Sequence, residues 1–175
     1  MAHDTFRPIL FLDFDGVLNH ASYLLDLSDR GYGRNGSHDP AEEIDPSAVT
    51  RVNRIVATTG CFVVCSSAWR LLYRKSDLNH YLEQRGAEFR LLDVTPDDSG
   101  NNEERGHQIQ RWLTWHRWPT TRIAILDDNS DMAHLMHRLV LTDATVGLQD
   151  EQADRTIAML RRPMVGGACY ASPRC

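Results

Sequence analysis

Asp13 and Asp15 stand one residue apart where the apolar run Ile9-Leu10-Phe11-Leu12 ends, and Gly16-Val17 follows them. An apolar run closing in two acids and a glycine reads as a buried strand that delivers carboxylates to a turn. Alternate side chains of a strand share a face, so the two acids are expected to point the same way. Their charges then repel unless a cation or a reaction intermediate sits between them. A second apolar run, Ile123-Ala124-Ile125-Leu126, ends in Asp127-Asp128-Asn129-Ser130-Asp131. Strands of a parallel α/β sheet present their carboxyl ends to the ligand crevice, so the two clusters are expected to meet at one edge as an all-oxygen pocket. Hard oxygen donors favour magnesium over zinc or copper.

Between the clusters lie groups suited to an anion. Cys61-Phe62-Val63-Val64-Cys65 runs into Ser66-Ser67, which offers hydroxyls and turn amides to a phosphate oxygen. Arg105 opens a segment in which Ile109, Trp112 and Leu113 mark a helix; a cation there can neutralise phosphate or hold the acids in place. Each group has a plainer reading: caps or solvated surface for the acids, a turn for the serines, an exposed helix face for the arginine. Their joint occurrence favours a site.

The motifs resemble those of the haloacid dehalogenase (HAD) type phosphohydrolases, in the same order along the chain. Asp13-Phe14-Asp15-Gly16-Val17 resembles motif one, Ser66 after its strand motif two, Arg105 the basic residue of motif three, and Leu126-Asp127-Asp128-Asn129-Ser130-Asp131 motif four. The wider wording around them looks most like the HAD domains attached to bacterial RNA-repair proteins. The resemblance implies a nucleophile at Asp13 that forms an aspartyl-phosphate, and a general acid and base at Asp15. True dehalogenases of the superfamily lack that second acid. It further implies Mg2+ held by Asp13, the backbone carbonyl of Asp15 and Asp127, with either Asp128 or Asp131 as the further acid, and a phosphate cradle of Ser66, Ser67 and Arg105. His20 and Tyr23, just beyond motif one, and Trp69 and Arg70, just beyond motif two, are candidates for substrate contact.

Composition and patterning supply the elements that must position these groups. A chain of 175 residues buries a substantial core without disulfides. Its apolar runs are too short to span a bilayer and Met1-Ala2-His3-Asp4 carries no export pattern, so a cytoplasmic protein with no membrane partner is expected. Cys61 and Cys65, roughly 13 Å apart on an extended strand, cannot bond to each other and read as core thiols; Cys169 and Cys175 lie in a Gly-, Ser- and Pro-containing tail and carry no role.

Asn19 to Glu43, rich in Gly, Asp, Ser and Tyr, reads as a loop or small hairpin forming a flap over the site. Asp45-Pro46 opens a helix closed by Gly60, with Val49, Val52, Ile55 and Val56 on one face. Leu78, Tyr81 and Leu82 mark a helix ending near Gly86, Phe89 to Leu92 a third strand, and Val94 to Glu104 a polar loop. After the Ile123 strand come a short Met132 to Arg138 helix, a Leu139 to Leu141 strand and a helix near Asp150 to Leu160. This alternation predicts a Rossmann-like three-layer α/β sandwich with a mainly parallel sheet. It forms one domain over residues 1–165, with the flap at 19–43 and a tail at 166–175. No interval leaves room for a large cap.

In the superfamily that the motifs resemble, a minimal cap goes with large substrates, so the resemblance implies a phosphate monoester on a nucleotide or on an RNA or DNA end as the preferred one. A phosphoprotein or small-metabolite phosphatase is the enzymatic alternative; a non-catalytic phosphate-binding module within a repair or regulatory assembly is the alternative of another class. The net charge of −5 argues against a protein that coats long nucleic acid, although local charge can differ. Trp112, Trp115 and Trp118 resemble a base-stacking platform but read as packing on the sheet. His134 and His137 have no third metal ligand in the sequence. Nothing in the sequence sets an oligomeric state.

Overall fold

The chain's computed structural model describes residues 7–32, 38–96 and 103–161. Ile9–Leu12, strand β1, is apolar at every position and fully buried, because it is the central strand of a sheet covered on both faces. Phe62–Cys65 (β2), Leu91–Val94 (β3), Ile123–Asp127 (β4) and Leu139–Leu141 (β5) complete a five-stranded, all-parallel sheet in the order β3-β2-β1-β4-β5. Register decides what happens at its edge. Leu12 pairs with Cys65 on one side and Leu126 on the other, so Asp13, Ser66 and Asp127 follow on three adjacent strands at one level. The backbone carries the pairing one step further: Asp13 N–H donates to the Leu126 carbonyl at 3.0 Å and Ser66 N–H to the Leu12 carbonyl at 2.9 Å.

The pleat divides the core in two. Leu10, Leu12, Val63, Cys65, Ala124 and Leu126 pack with the apolar stripes of Pro46–Thr59 (α2), Lys75–Gln84 (α3) and Asp150–Arg161 (α5). Ile9, Phe11, Val64, Ile123 and Ile125 meet Ile109, Trp112 and Leu113 of Arg105–His116 (α4). Phe11 and Trp112 touch edge to face, with centroids 5.5 Å apart. The α2 helix begins and ends as its residues predict: Asp45 accepts from Ser47 N–H at 2.8 Å, Pro46 takes the first turn, and Gly60 closes the end. Cys61 and Cys65 are free and buried, and burial pushes the Cys65 thiol up to about 12.

Three expectations are corrected. The stretch after motif one is no loop or hairpin where it is described: Ala21–Asp29 forms a nine-residue helix, α1, and Pro40–Glu43 a 3₁₀ turn. The α1 helix has no buried residue and starts on a His20 side chain, so neither an apolar stripe nor a usual cap announces it. The third strand lies two residues later than expected, because Phe89 packs against the core before the strand begins and Asp93 and Val94 extend the ladder. The tryptophans part company: Trp112 and Trp118 are buried, whereas Trp115 is 65% exposed. Among the described residues a second sheet is absent, and no helix is long and apolar enough to cross a membrane. The tail, with Cys169 and Cys175, lies outside the described residues.

The α4 helix reaches the sheet edge through a backbone contact. Gly106 N–H donates to the Asp131 carbonyl at 3.1 Å, and a Cβ on Gly106 would stand 2.1 Å from the Met132 carbonyl oxygen, which cannot swing aside. Gly106→Ala is therefore expected to cost roughly 1–3 kcal/mol, as overpacking does. The measurement is a urea unfolding curve, in which the midpoint falls while the slope stays constant.

Candidate active site

Strand order brings the two acid clusters together. Asp13, 2% exposed, accepts from Phe14 N–H at 2.8 Å on Oδ1, and its Oδ2 contacts Arg105 Nη1. The fully buried Asp127 takes the same Nη1 on Oδ2 at 2.8 Å, and its Oδ1 accepts from Asn129 N–H at 2.9 Å. Asp128 completes a group in which one carboxylate oxygen from each of Asp13, Asp127 and Asp128 lies within 4.8 Å of the others. Its approach depends on Gly16, where φ is +67° and a Cβ would stand 2.3 Å from the Asp128 carboxyl.

One guanidinium faces three carboxylates, and two of these titrate above the ordinary range, first because they are buried. Burial, reinforced by the Asp13 charge, pushes Asp127 up to about 8 even though Arg105 pulls the other way. Burial and then Asp13 also raise Asp128. Burial works against the charge of Arg105, but Asp13 and Asp127 outweigh it and hold the guanidinium protonated. These donors fit a divalent cation: they are hard oxygens, they converge, and they retain uncompensated negative charge beside Arg105.

Asp15 stands apart from that group. The strand ends at Leu12, so Asp15 projects from a turn rather than from the strand face that alternation predicts. The Phe14 carbonyl accepts from the N–H groups of Val17, Leu18 and Asn19, which curls the chain back. Asp15 is exposed, and its Oδ1 accepts from Asn19 Nδ2 and Trp69 Nε1, each at 2.9 Å. Asn19 did not stand out in the sequence; an amide four residues beyond an acid, across a glycine turn, is the signal that could have found it.

The remaining site residues fall into distinct settings. Ser66 Oγ is buried at the end of β2 and has no hydrogen-bond partner among the described residues. Ser67 Oγ instead accepts from Trp69 N–H at 3.3 Å, capping the turn Ala68–Leu71. Trp69 lies against Phe14 and serves Asp15. Arg70 donates to the carbonyls of Ser66, Ser67 and Thr95 and to Gln108 Oε1 on α4, tying the β2 and β3 ends to that helix. Asp131 Oδ2 accepts from Arg105 N–H at 3.2 Å, and its Oδ1 is buried without a partner among the described residues. His20 and Tyr23 engage neighbours outside the acid cluster: His20 meets Asp45 Oδ2 at 3.2 Å, and the Tyr23 hydroxyl donates to the Glu42 carbonyl and accepts from Arg85.

Residues 9–153 match the family described as the HAD domain in Swiss Army Knife RNA repair proteins. The chain belongs to this family. The match to the HAD domain runs from the first residue of β1 into α5, so it takes in both acid clusters, Ser66 and Arg105. A search of curated proteins gave no match.

Because the folded Asp127 carboxyl titrates near 8 rather than 3.8, the folded HAD domain keeps a proton that the unfolded chain has lost between those values. This group's contribution to stability therefore falls as pH rises from about 4 to about 8 and is level above. In metal-free buffer, Asp127→Asn is expected to raise the melting temperature, with the gain growing across that window. Magnesium is expected to raise the wild-type melting temperature more at pH 8 than at pH 5, since cation and proton compete for the same oxygens. Thermal melts with chelator or magnesium across the window check both.

Proposed function

We propose that this HAD domain is a magnesium-dependent phosphomonoester hydrolase acting on the terminal phosphate of an RNA strand. The observation that carries the reading is the convergence of Asp13, Asp127 and Asp128 with Arg105 at one sheet edge, beside an Asp15 that has its own partners. Membership of a family named for RNA repair supports the substrate class.

Asp13 is the nucleophile. Phe14 N–H and Arg105 fix its carboxylate, so little orientation remains to be found when substrate arrives. A carboxylate oxygen of Asp13 attacks phosphorus, the bond to the leaving nucleoside oxygen breaks, and Asp15 gives that oxygen its proton. Water then attacks the aspartyl-phosphate, Asp15 takes the water's proton, and inorganic phosphate leaves with Asp13 restored. Ser66 Oγ, buried and unpartnered, supplies a hydrogen bond to a phosphoryl oxygen, and Arg105 neutralises charge on the transferring group. Asp13, Asp127 and Asp128, with the Asp15 carbonyl, would hold Mg2+, which would supply charge neutralisation between two anions that must meet. Asp131 acts one step out by fixing the first turn of α4, and Ser67 and Arg70 hold the loop that carries Ser66.

The test is phosphate release with magnesium from an aryl phosphate, mononucleotides, 3′- and 5′-phosphorylated RNA and DNA oligomers, and phosphopeptides. RNA ends are expected to give the highest kcat/KM, Asp13→Asn to abolish turnover, and Asp15→Asn to slow release and accumulate phosphoenzyme. Release only from phosphopeptides or small esters moves the substrate elsewhere; absence of any Asp13-dependent release leaves a phosphate-binding module. Trp69→Phe keeps the ring and removes one donor to Asp15. It is expected to lower kcat several-fold with little change in KM and to shift the pH profile of kcat, a change that loss of packing alone does not produce.

A further inference from the structure

The exposed Trp115 lies on a trough that the reaction above does not use. A cavity of about 490 Å³ sits between edge strand β3 and the C-terminal half of α4, with Lys75, Leu92, Trp115 and Arg117 among its walls. A second cleft of about 230 Å³ shares Asp93, Trp112, Trp115 and His116 with it and continues to Arg70 and Thr95. Arg70 is also the side chain that grips the Ser66 and Ser67 carbonyls, so the trough ends at the loop carrying the orphaned Ser66 hydroxyl. The α4 helix gives the span: Arg105 starts it at the acid cluster, and Trp112 and Trp115 lie about 10 and 15 Å further along its axis.

The chemistry of the walls is aromatic and cationic. The His116 ring stacks on Trp112 at 4.0 Å and 20°, and the neighbouring Trp115 indole stays exposed where Trp112 and Trp118 are buried. Lys75 and Arg117 are exposed cations on the same walls. The acid of the trough, Asp93, accepts from Trp112 Nε1 at 2.8 Å, which mutes its repulsion of an anion. Flat aromatic faces between cations are how proteins hold single-stranded nucleic acid without reading its sequence. A peptide adding to the sheet edge is less well served, because Lys75 Nζ already takes the Leu92 carbonyl of β3 at 2.9 Å.

Resting on the reading that Asp13 receives a terminal phosphate, the geometry points to this trough as the subsite for the nucleotides next to that phosphate, with a base stacked on Trp115. The overall negative charge limits the contact to a short single-stranded run near the end.

Two measurements on the full chain test it. First, the ratio of kcat/KM for a phosphorylated RNA oligomer of about six nucleotides to that for an aryl phosphate is compared between wild type and Trp115→Ala. The ratio is expected to fall roughly tenfold or more, and an oligomer made abasic next to its terminal nucleotide is expected to show the same loss on the wild type. Second, binding of a fluorescein-labelled oligouridylate without any terminal phosphate is followed by anisotropy. Binding is expected for wild type and Asp13→Asn, and its loss for Trp115→Ala and Lys75→Ala. An unchanged ratio together with unchanged anisotropy in Trp115→Ala overturns the subsite while leaving the phosphatase reading intact. Anisotropy with an aromatic phosphopeptide but none with oligouridylate overturns it in favour of a protein ligand. Trp115-dependent binding without any Asp13-dependent release supports the subsite and removes the phosphatase.

Discussion

The structure depends on the cost of placing three carboxylates within 4.8 Å of one another at a buried sheet edge. Asp13 and Asp127 follow adjacent strands whose last paired residues, Leu12 and Leu126, are in register, so strand pairing itself forces the two acids together. Arg105 meets both with one nitrogen, and burial, with the Asp13 charge behind it, raises the titration of Asp127 in spite of that cation. Removing the guanidinium from a buried cluster of this kind leaves its carboxylates uncompensated, whereas exchanging Asp127 for its neutral amide relieves the repulsion.

Much of the surrounding structure serves to deliver that guanidinium and the third acid. Gly106 lets the first turn of α4 press against the Met132 carbonyl, Asp131 accepts from Arg105 N–H, and Arg70 joins α4 to the ends of β2 and β3 through Gln108. Gly16 admits the Asp128 carboxyl to space that any Cβ would fill. Both glycines therefore act through what they omit, and they tie the motif-one turn and the α4 start to the loop after β4.

Most of this was legible in the residues. The apolar runs of β1, β2 and β4, the capped α2 helix and the acid clusters announced themselves, because burial on both faces leaves an uninterrupted apolar signature and capping leaves a local one. The misses have separate physical causes. The α1 helix buries nothing and carries an unusual histidine cap, so no periodicity marked it. Strand alternation failed for Asp15, because the ladder stops at Leu12 and a turn takes over. Trp69 and Arg70 could be seen as an aromatic and a cation near motif two; that one donates to Asp15 and the other reaches the Thr95 carbonyl depends on contacts across 54 and 25 residues, which no local pattern encodes.

The separation of Asp15 from the buried group bears on chemistry as well as on legibility. Asp13 is enclosed and fixed at both oxygens, whereas Asp15 is exposed and held at one oxygen by two neutral donors, leaving Oδ2 without a partner among the described residues. A nucleophile gains from fixed orientation, and an acid that becomes a base gains from a free oxygen that can carry the proton both ways. The nucleophile and acid–base roles proposed for Asp13 and Asp15 require that their environments differ. Here a single turn creates the difference: the Phe14 carbonyl gathers three N–H groups, folds Asn19 back onto Asp15, and leaves Asp13 behind in the sheet edge with Arg105.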